Sequence, residues 1–247
     1  MSIRRYRFLQ GSIILGLCLF LAFKLLTGEL SLYINIRYAP LTVFGVLALA
    51  IMLIALIKSP ELVSDEHNHH DHSDHIHNIS SNALMILAIP LLIGVLIPSH
   101  PLDAAAASTR GMNTSAPLVA NSSQTRQFEA AADTRNILDW IRIFNSTTDL
   151  SPYLGQTAKV NGFVYHDPRL PANQFIVSRF VITCCAADAS AIGMIVTWDG
   201  SSGLKESTWV EVKGPVQSAQ LGGQPIPLVE AVLVKSVAQP QEPYLYP

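Results

Sequence analysis

Two stretches, about 8–26 and 39–57, are almost wholly apolar. Each is long enough for an α-helix to cross a hydrocarbon core of ~30 Å. The first is interrupted only by Gln10, Ser12 and Lys24, and the second carries no charge. Lys24 lies within a turn of its stretch's end, where a long stem can reach the headgroups. A third apolar stretch, 83–97, contains Pro90 and spans a core only with help from 80–82 and Pro98. Three N-terminal transmembrane helices are therefore expected. They explain why only 14% of the 247 residues are charged, against roughly a quarter in an ordinary soluble domain. A formal net charge of −2 leaves no basic footprint for nucleic acid.

Arg4, Arg5 and Arg7 precede the first stretch like the basic end of a signal peptide. The apolar run is too long for one, and Thr27-Gly28-Glu29-Leu30 is a poor cleavage site. The same arginines hold the N-terminus in the cytoplasm by the positive-inside rule. Three crossings then put the Arg37 loop outside, the loop between the second and third helices inside, and everything after Pro98 outside. No charged residue lies near mid-membrane, so these helices do not line an ion path by themselves.

The inner loop, 65–78, holds His67, His69, His70, His72, His75 and His77, six of the chain's eight histidines. Imidazole is the commonest protein ligand for late first-row divalent metals, and the interspersed carboxylates add oxygen ligands. A flexible tract of this kind suits low-affinity collection of zinc rather than a closed structural site, which needs four fixed ligands. Its affinity is expected to fall as the rings protonate. A plain polar spacer has the same composition.

The membrane region thus occupies 1–100. The stretch 101–131 is rich in Ala, Ser, Thr and Asn and reads as a linker. A soluble domain follows over 132–247. Asp133 is the expected N-cap of a short helix, because Ile137, Trp140, Ile141 and Phe144 fall on one face. The period then changes to two over about five strands: from Val160, at 175–184, 192–198, 209–213 and 228–234. The expected fold is membrane α plus a C-terminal mainly-β domain, a small barrel of the oligonucleotide/oligosaccharide-binding type preceded by a short helix. That fold assigns no function.

The domain's cysteines are adjacent, in Thr183-Cys184-Cys185-Ala186-Ala187-Asp188. Neighbours in a strand point to opposite faces, so the two thiols can share one ion only where the strand breaks. Asp188 and His166 are the candidates to complete a zinc or copper site. The competing readings are buried packing and, after it, a strained, reducible disulfide.

This segment, together with Tyr33-Ile34-Asn35-Ile36-Arg37-Tyr38 and the His-rich loop, resembles a family of uncharacterised bacterial membrane proteins held to be one subunit of a two-component permease complex. The resemblance covers essentially the whole chain. It implies a multi-spanning permease as partner, a place in the bacterial inner membrane, and a link to zinc handling. It supplies no catalytic residues.

The expected function is therefore that of an accessory subunit of a membrane permease complex. The His-rich loop collects zinc, and the soluble domain delivers or senses it through Cys184 and Cys185. The competing reading is a membrane-tethered docking module with structural cysteines and no metal role. Enzyme readings lack a Cys-x-x-Cys pair, a Gly-x-Ser-x-Gly, a His-Glu-x-x-His and a phosphate loop.

Overall fold

A computed structural model describes residues 3–58, 81–112, 131–147, 149–221 and 223–247. The six loop histidines lie outside the described residues. The chain divides into two compact units, one of Met1–Ser31 with Ile36–His100 and one of Leu32–Asn35 with Pro101–Pro247. Four residues from between the first two helices thus belong with the β-rich part of the chain.

The first unit consists of helices α1 (Ile3–Leu26), α2 (Ala39–Lys58) and α3 (Ser81–Leu96). By length and composition, α1 and α2 can each cross a membrane, whereas α3 is a shorter apolar helix. α1 and α2 run antiparallel, with the Arg7 guanidinium at the start of α1 donating to the Leu56 carbonyl near the end of α2 at 2.7 Å. α3 lies alongside α1 in the same direction. A Cβ on Gly94 would stand 2.7 Å from the Phe20 ring, so that glycine permits the close approach. Four residues further along α1, the Lys24 ammonium donates to Glu29 and to the Ser99 hydroxyl, which itself donates to Glu29 at 2.7 Å. The C-terminal ends of α1 and α3 are joined by this polar triplet.

In the second unit, Asn136 caps α5 (Ile137–Ser146) in a reciprocal capping box with Asp139. Asp133, the cap expected from sequence, sits in the 3₁₀ turn just before it. Strands β1 (Thr157–Tyr165), β2 (Gln174–Val181), β3 (Ser190–Thr197), β4 (Trp209–Leu221) and β5 (Gln224–Glu230) follow, then β6 (Leu233–Ser236) and β7 (Tyr244–Leu245). The pairings run β1–β2–β3–β5–β4 and return from β4 to β1, a closed circuit in which only β3–β5 is parallel. β6 extends this sheet beside β4, and β7 pairs with the end of β2 in parallel.

Both faces of the strands are covered. Val160, Val164, Phe175, Val177, Met194 and Val212 form the main core with Trp140, Ile141 and Phe144 of α5. Phe163, Phe180 and Trp209 form a second core with Tyr244 and with the helix α4 (Ala104–Arg110). The start of the stretch expected as a linker is thus a packed helix, capped by Asp103, with Ala104 and Ala107 fully buried. Alanine has the strongest helix propensity, and its small side chain lets the helix sit close against aromatic rings. The remainder, 113–130, lies outside the described residues.

Candidate functional site at the Cys184–Cys185 turn

β2 ends at Val181, and the chain turns through a short 3₁₀ segment at Ala186–Asp188 before β3. One side chain organises this turn. The Asp188 carboxylate accepts the backbone N–H of Thr183 at 3.1 Å and of Cys184 at 2.7 Å, one on each oxygen. Burial alone would raise the Asp188 carboxyl, but the bonds from Cys184, Thr183 and Cys185 hold it below the ordinary value. Cys184 is exposed and Cys185 half-buried, with their sulfurs 3.7 Å apart. Hydrogen bonds first to Asp188 and then to Cys185, with some burial, push the Cys184 thiol up to about 11. At neutral pH it is a protonated, weakly nucleophilic thiol.

Two further segments clamp the turn. From one side comes Leu32–Asn35. Ile34 bridges to Cys185, and the Asn35 N–H donates to the Cys184 carbonyl at 3.0 Å. The Asn35 side-chain amide donates to the Thr183 carbonyl at 3.0 Å, and the Ala186 N–H donates to the Tyr33 carbonyl at 2.8 Å. From the other side Arg110, the last residue of α4, donates to the carbonyls of Ala186, Ala187 and Ala189. The Tyr244 hydroxyl ties these segments together, accepting the Leu102 N–H at 3.0 Å and donating to the Leu32 carbonyl at 3.2 Å. The tail that carries Tyr244 is held by Arg179. Its buried guanidinium donates to the carbonyls of Glu242 and Pro243 and to the Asn161 side chain, over the Trp209 ring. Burial lowers the Arg179 pKa to about 10.

Of the four site candidates in this domain, the turn brings together Cys184, Cys185 and Asp188. His166 is elsewhere. It follows β1, with its ring against Phe175 at the start of β2 and its Nε2 3.1 Å from the Leu204 carbonyl. β2 is antiparallel to β1, so its 8 residues, roughly 25 Å of strand, separate His166 from the cysteines. Among the described residues no three His, Cys, Asp or Glu side chains form a group able to hold a metal ion. The Asn35, Arg110 and Tyr244 contacts carry no sequence signal of their own. Only the stretch Tyr33–Tyr38 is distinctive in sequence, as part of a resemblance.

Two family domains match successive parts of the chain. Residues 9–113 match the DUF1980 N-terminal domain and residues 112–247 the DUF1980 C-terminal domain. The chain belongs to the DUF1980 family. Two curated relatives are similar over almost their whole lengths. UPF0703 protein YcgQ of Bacillus subtilis is 26% identical, with 95% of this chain and 97% of the relative covered. A Streptococcus mutans protein is also 26% identical, with 98% of each chain covered. It bears the provisional name of a two-component membrane permease complex subunit. The boundary between the two DUF1980 domains falls just after α4, the helix that supplies Arg110.

Proposed function

We propose that this DUF1980 protein is a membrane-anchored accessory subunit of a permease complex, with a multi-spanning partner that provides the transport path. The observation that carries the reading is the end-to-end similarity to the S. mutans protein bearing that name. The composition of the helices fits it. α1 and α2 are apolar enough to sit in lipid, and they lack the mid-membrane charged residues that a transport path needs. We read the closed five-strand circuit as a barrel of the oligonucleotide/oligosaccharide-binding type, used here for docking rather than catalysis.

Three crossings are the topology we propose. α3 runs parallel to α1 with their ends joined by Lys24, Glu29 and Ser99, which supports a third crossing in the same direction. Leu32 and Leu102 both bond Tyr244, which supports placing the α1–α2 connection and the β unit on one side of the membrane. The 65–78 loop then faces the cytoplasm. With the native cysteines replaced by serine, a cysteine introduced at Asn68 should react with an impermeant maleimide only from the cytoplasmic side. One at Gln239, an exposed residue of the C-terminal tail, should react only from the outside. Labelling of both from the same side would overturn the three-crossing topology.

The metal reading, with zinc first, rests on the six imidazoles of 67–77. Titration of zinc into the full chain in detergent should show binding that weakens as pH falls through the imidazole range and disappears when all six are alanine. Zinc binding that survives the alanine changes but not Cys184→Ser/Cys185→Ser would move the site to the turn. No zinc binding at all would leave a docking subunit without a metal role. A photo-crosslinker at Phe44, on the exposed surface of α2, should capture a multi-spanning membrane protein. Deleting the chain should impair that partner's transport, and unimpaired transport would overturn the accessory role.

A further inference from the structure

We propose that Cys184 and Cys185 are a redox latch, in which closure to a vicinal disulfide releases Leu32–Asn35 from the β unit. The inference is independent of the permease reading. It starts from the sulfur pair, 3.7 Å apart with one thiol exposed. A disulfide needs about 2.05 Å between sulfurs and ordinarily at least about 4.4 Å between Cα atoms. Consecutive Cα atoms across a trans peptide are only about 3.8 Å apart. The spacing is fixed, so a ring between neighbours is strained. Closing the sulfurs from 3.7 Å draws on the torsions on either side of the linking peptide, ψ of Cys184 and φ of Cys185. In the structure Cys185 itself is extended, with φ −155° and ψ 170°.

The peptide that has to rotate is the one that holds the docked segment. Its carbonyl, that of Cys184, accepts the Asn35 N–H, and its nitrogen belongs to Cys185, the residue bridged to Ile34. Ring closure swings that carbonyl away from Asn35. It also disturbs the two flanking bonds, from Asn35 to Thr183 and from Ala186 to Tyr33. Docked segment and disulfide are thus mutually exclusive at one peptide group.

The chemistry balances with a disulfide oxidant such as oxidised glutathione. The Cys185 thiol gives its proton to solvent as its sulfur attacks one sulfur of the oxidant, giving a mixed disulfide and one thiolate leaving group. The Cys184 thiol then loses its proton to solvent as its sulfur attacks the Cys185 sulfur. The second oxidant thiolate leaves, and the two released thiolates take up the two protons. Two protein thiols and one disulfide become one protein disulfide and two thiols. A strained ring of this kind is readily reduced, which suits reversible use.

Linkage makes the effect reciprocal: whatever weakens docking makes the disulfide easier to form. The test uses the full chain in detergent micelles, equilibrated with mixtures of reduced and oxidised glutathione. Mass spectrometry of the peptide containing 184 and 185 should show loss of two hydrogens with no adduct. On oxidation, amide exchange over 32–36 should rise about tenfold, as expected for release of a protected segment. Asn35→Ala should shift the equilibrium about fivefold toward the disulfide, the effect of one lost hydrogen bond. Cys184→Ser/Cys185→Ser should exchange as the reduced protein does under both conditions. A glutathione adduct or an intermolecular disulfide in place of the ring would overturn the latch. So would a vicinal disulfide that leaves exchange over 32–36 unchanged, or an equilibrium that Asn35→Ala does not move.

Discussion

A single carboxylate, Asp188, sets both the shape of the cysteine turn and the acidity of its exposed thiol. The two effects separate in Asp188→Asn. The two backbone N–H groups sit on different oxygens, one of which becomes a donor NH2 that cannot accept, so the turn should lose about 1 kcal/mol from the broken bond. Removal of the negative charge should bring the Cys184 thiol down from about 11 toward the ordinary thiol range. Thiolate absorbance followed against pH checks this, and an unshifted midpoint would exclude Asp188 as the cause. In the wild type the sign follows from the raised value. The protonated thiol is favoured in the folded turn, so its contribution is complete below the reference value of 9.0 and is lost as pH rises toward about 11. The turn should loosen across that window, seen as faster exchange at Asn35. Much of this was legible in sequence, because Cys184, Cys185 and Asp188 are local and the residues between them favour a break in the strand. His166 was not placeable, since its distance from the cysteines depends on which end of β2 each occupies.

The element that sequence composition describes least well is α4. A run of alanines followed by Ser, Thr and Asn has the profile of a tether, and apolarity alone does not distinguish a tether from a helix that packs by being small. What decides is the surface it meets, a set of aromatic rings whose neighbourhood exists only once β1, β2 and β4 are paired. Ala107 is fully buried there. Ala107→Leu should cost about 1–3 kcal/mol through overpacking. It should also raise proteolytic sensitivity near 186–189, because lifting α4 withdraws Arg110 from three carbonyls. Unchanged melting with unchanged cleavage would show that α4 does not brace the turn. α5 shows the opposite balance. Its face was readable from the spacing of Ile137, Trp140, Ile141 and Phe144, while its cap was displaced from Asp133 to Asn136 because Asn136 forms a capping box with Asp139. The crossing of β4 against the end of β5 leaves a mark at Gly214, where an added Cβ would stand 2.1 Å from the Glu230 carbonyl oxygen. No alternation pattern announces such a crossing.

For the molecule as a whole, two short sequences far apart in the chain, Tyr33–Tyr38 and Thr183–Asp188, are each distinctive but give no sign of connection. Parts of both, Tyr33–Asn35 and Thr183–Ala186, meet in one hydrogen-bonded assembly. Such pairing is beyond any local reading, since it depends on the whole β circuit forming in between. Tyr244 is its fastener, and Tyr244→Phe removes both hydroxyl bonds while keeping the buried ring. The variant should be destabilised by about 1–2 kcal/mol. Exchange over 32–36 should accelerate with little change in the main core, and exchange that stays slow would assign the fastening to Asn35 alone.

The Leu32 carbonyl and the Tyr244 hydroxyl that meets it are separated by 212 positions in the chain. At about 5–20 residues per second, a ribosome spends roughly 10–40 seconds between making one and making the other. For most of that interval Tyr33, Ile34 and Asn35 have left the ribosome before the Thr183–Ala186 turn that receives them has been made. Docking of this segment is therefore among the last events of biogenesis, and a chain released early by the ribosome carries an open hydrogen-bonding edge that quality-control factors can recognise.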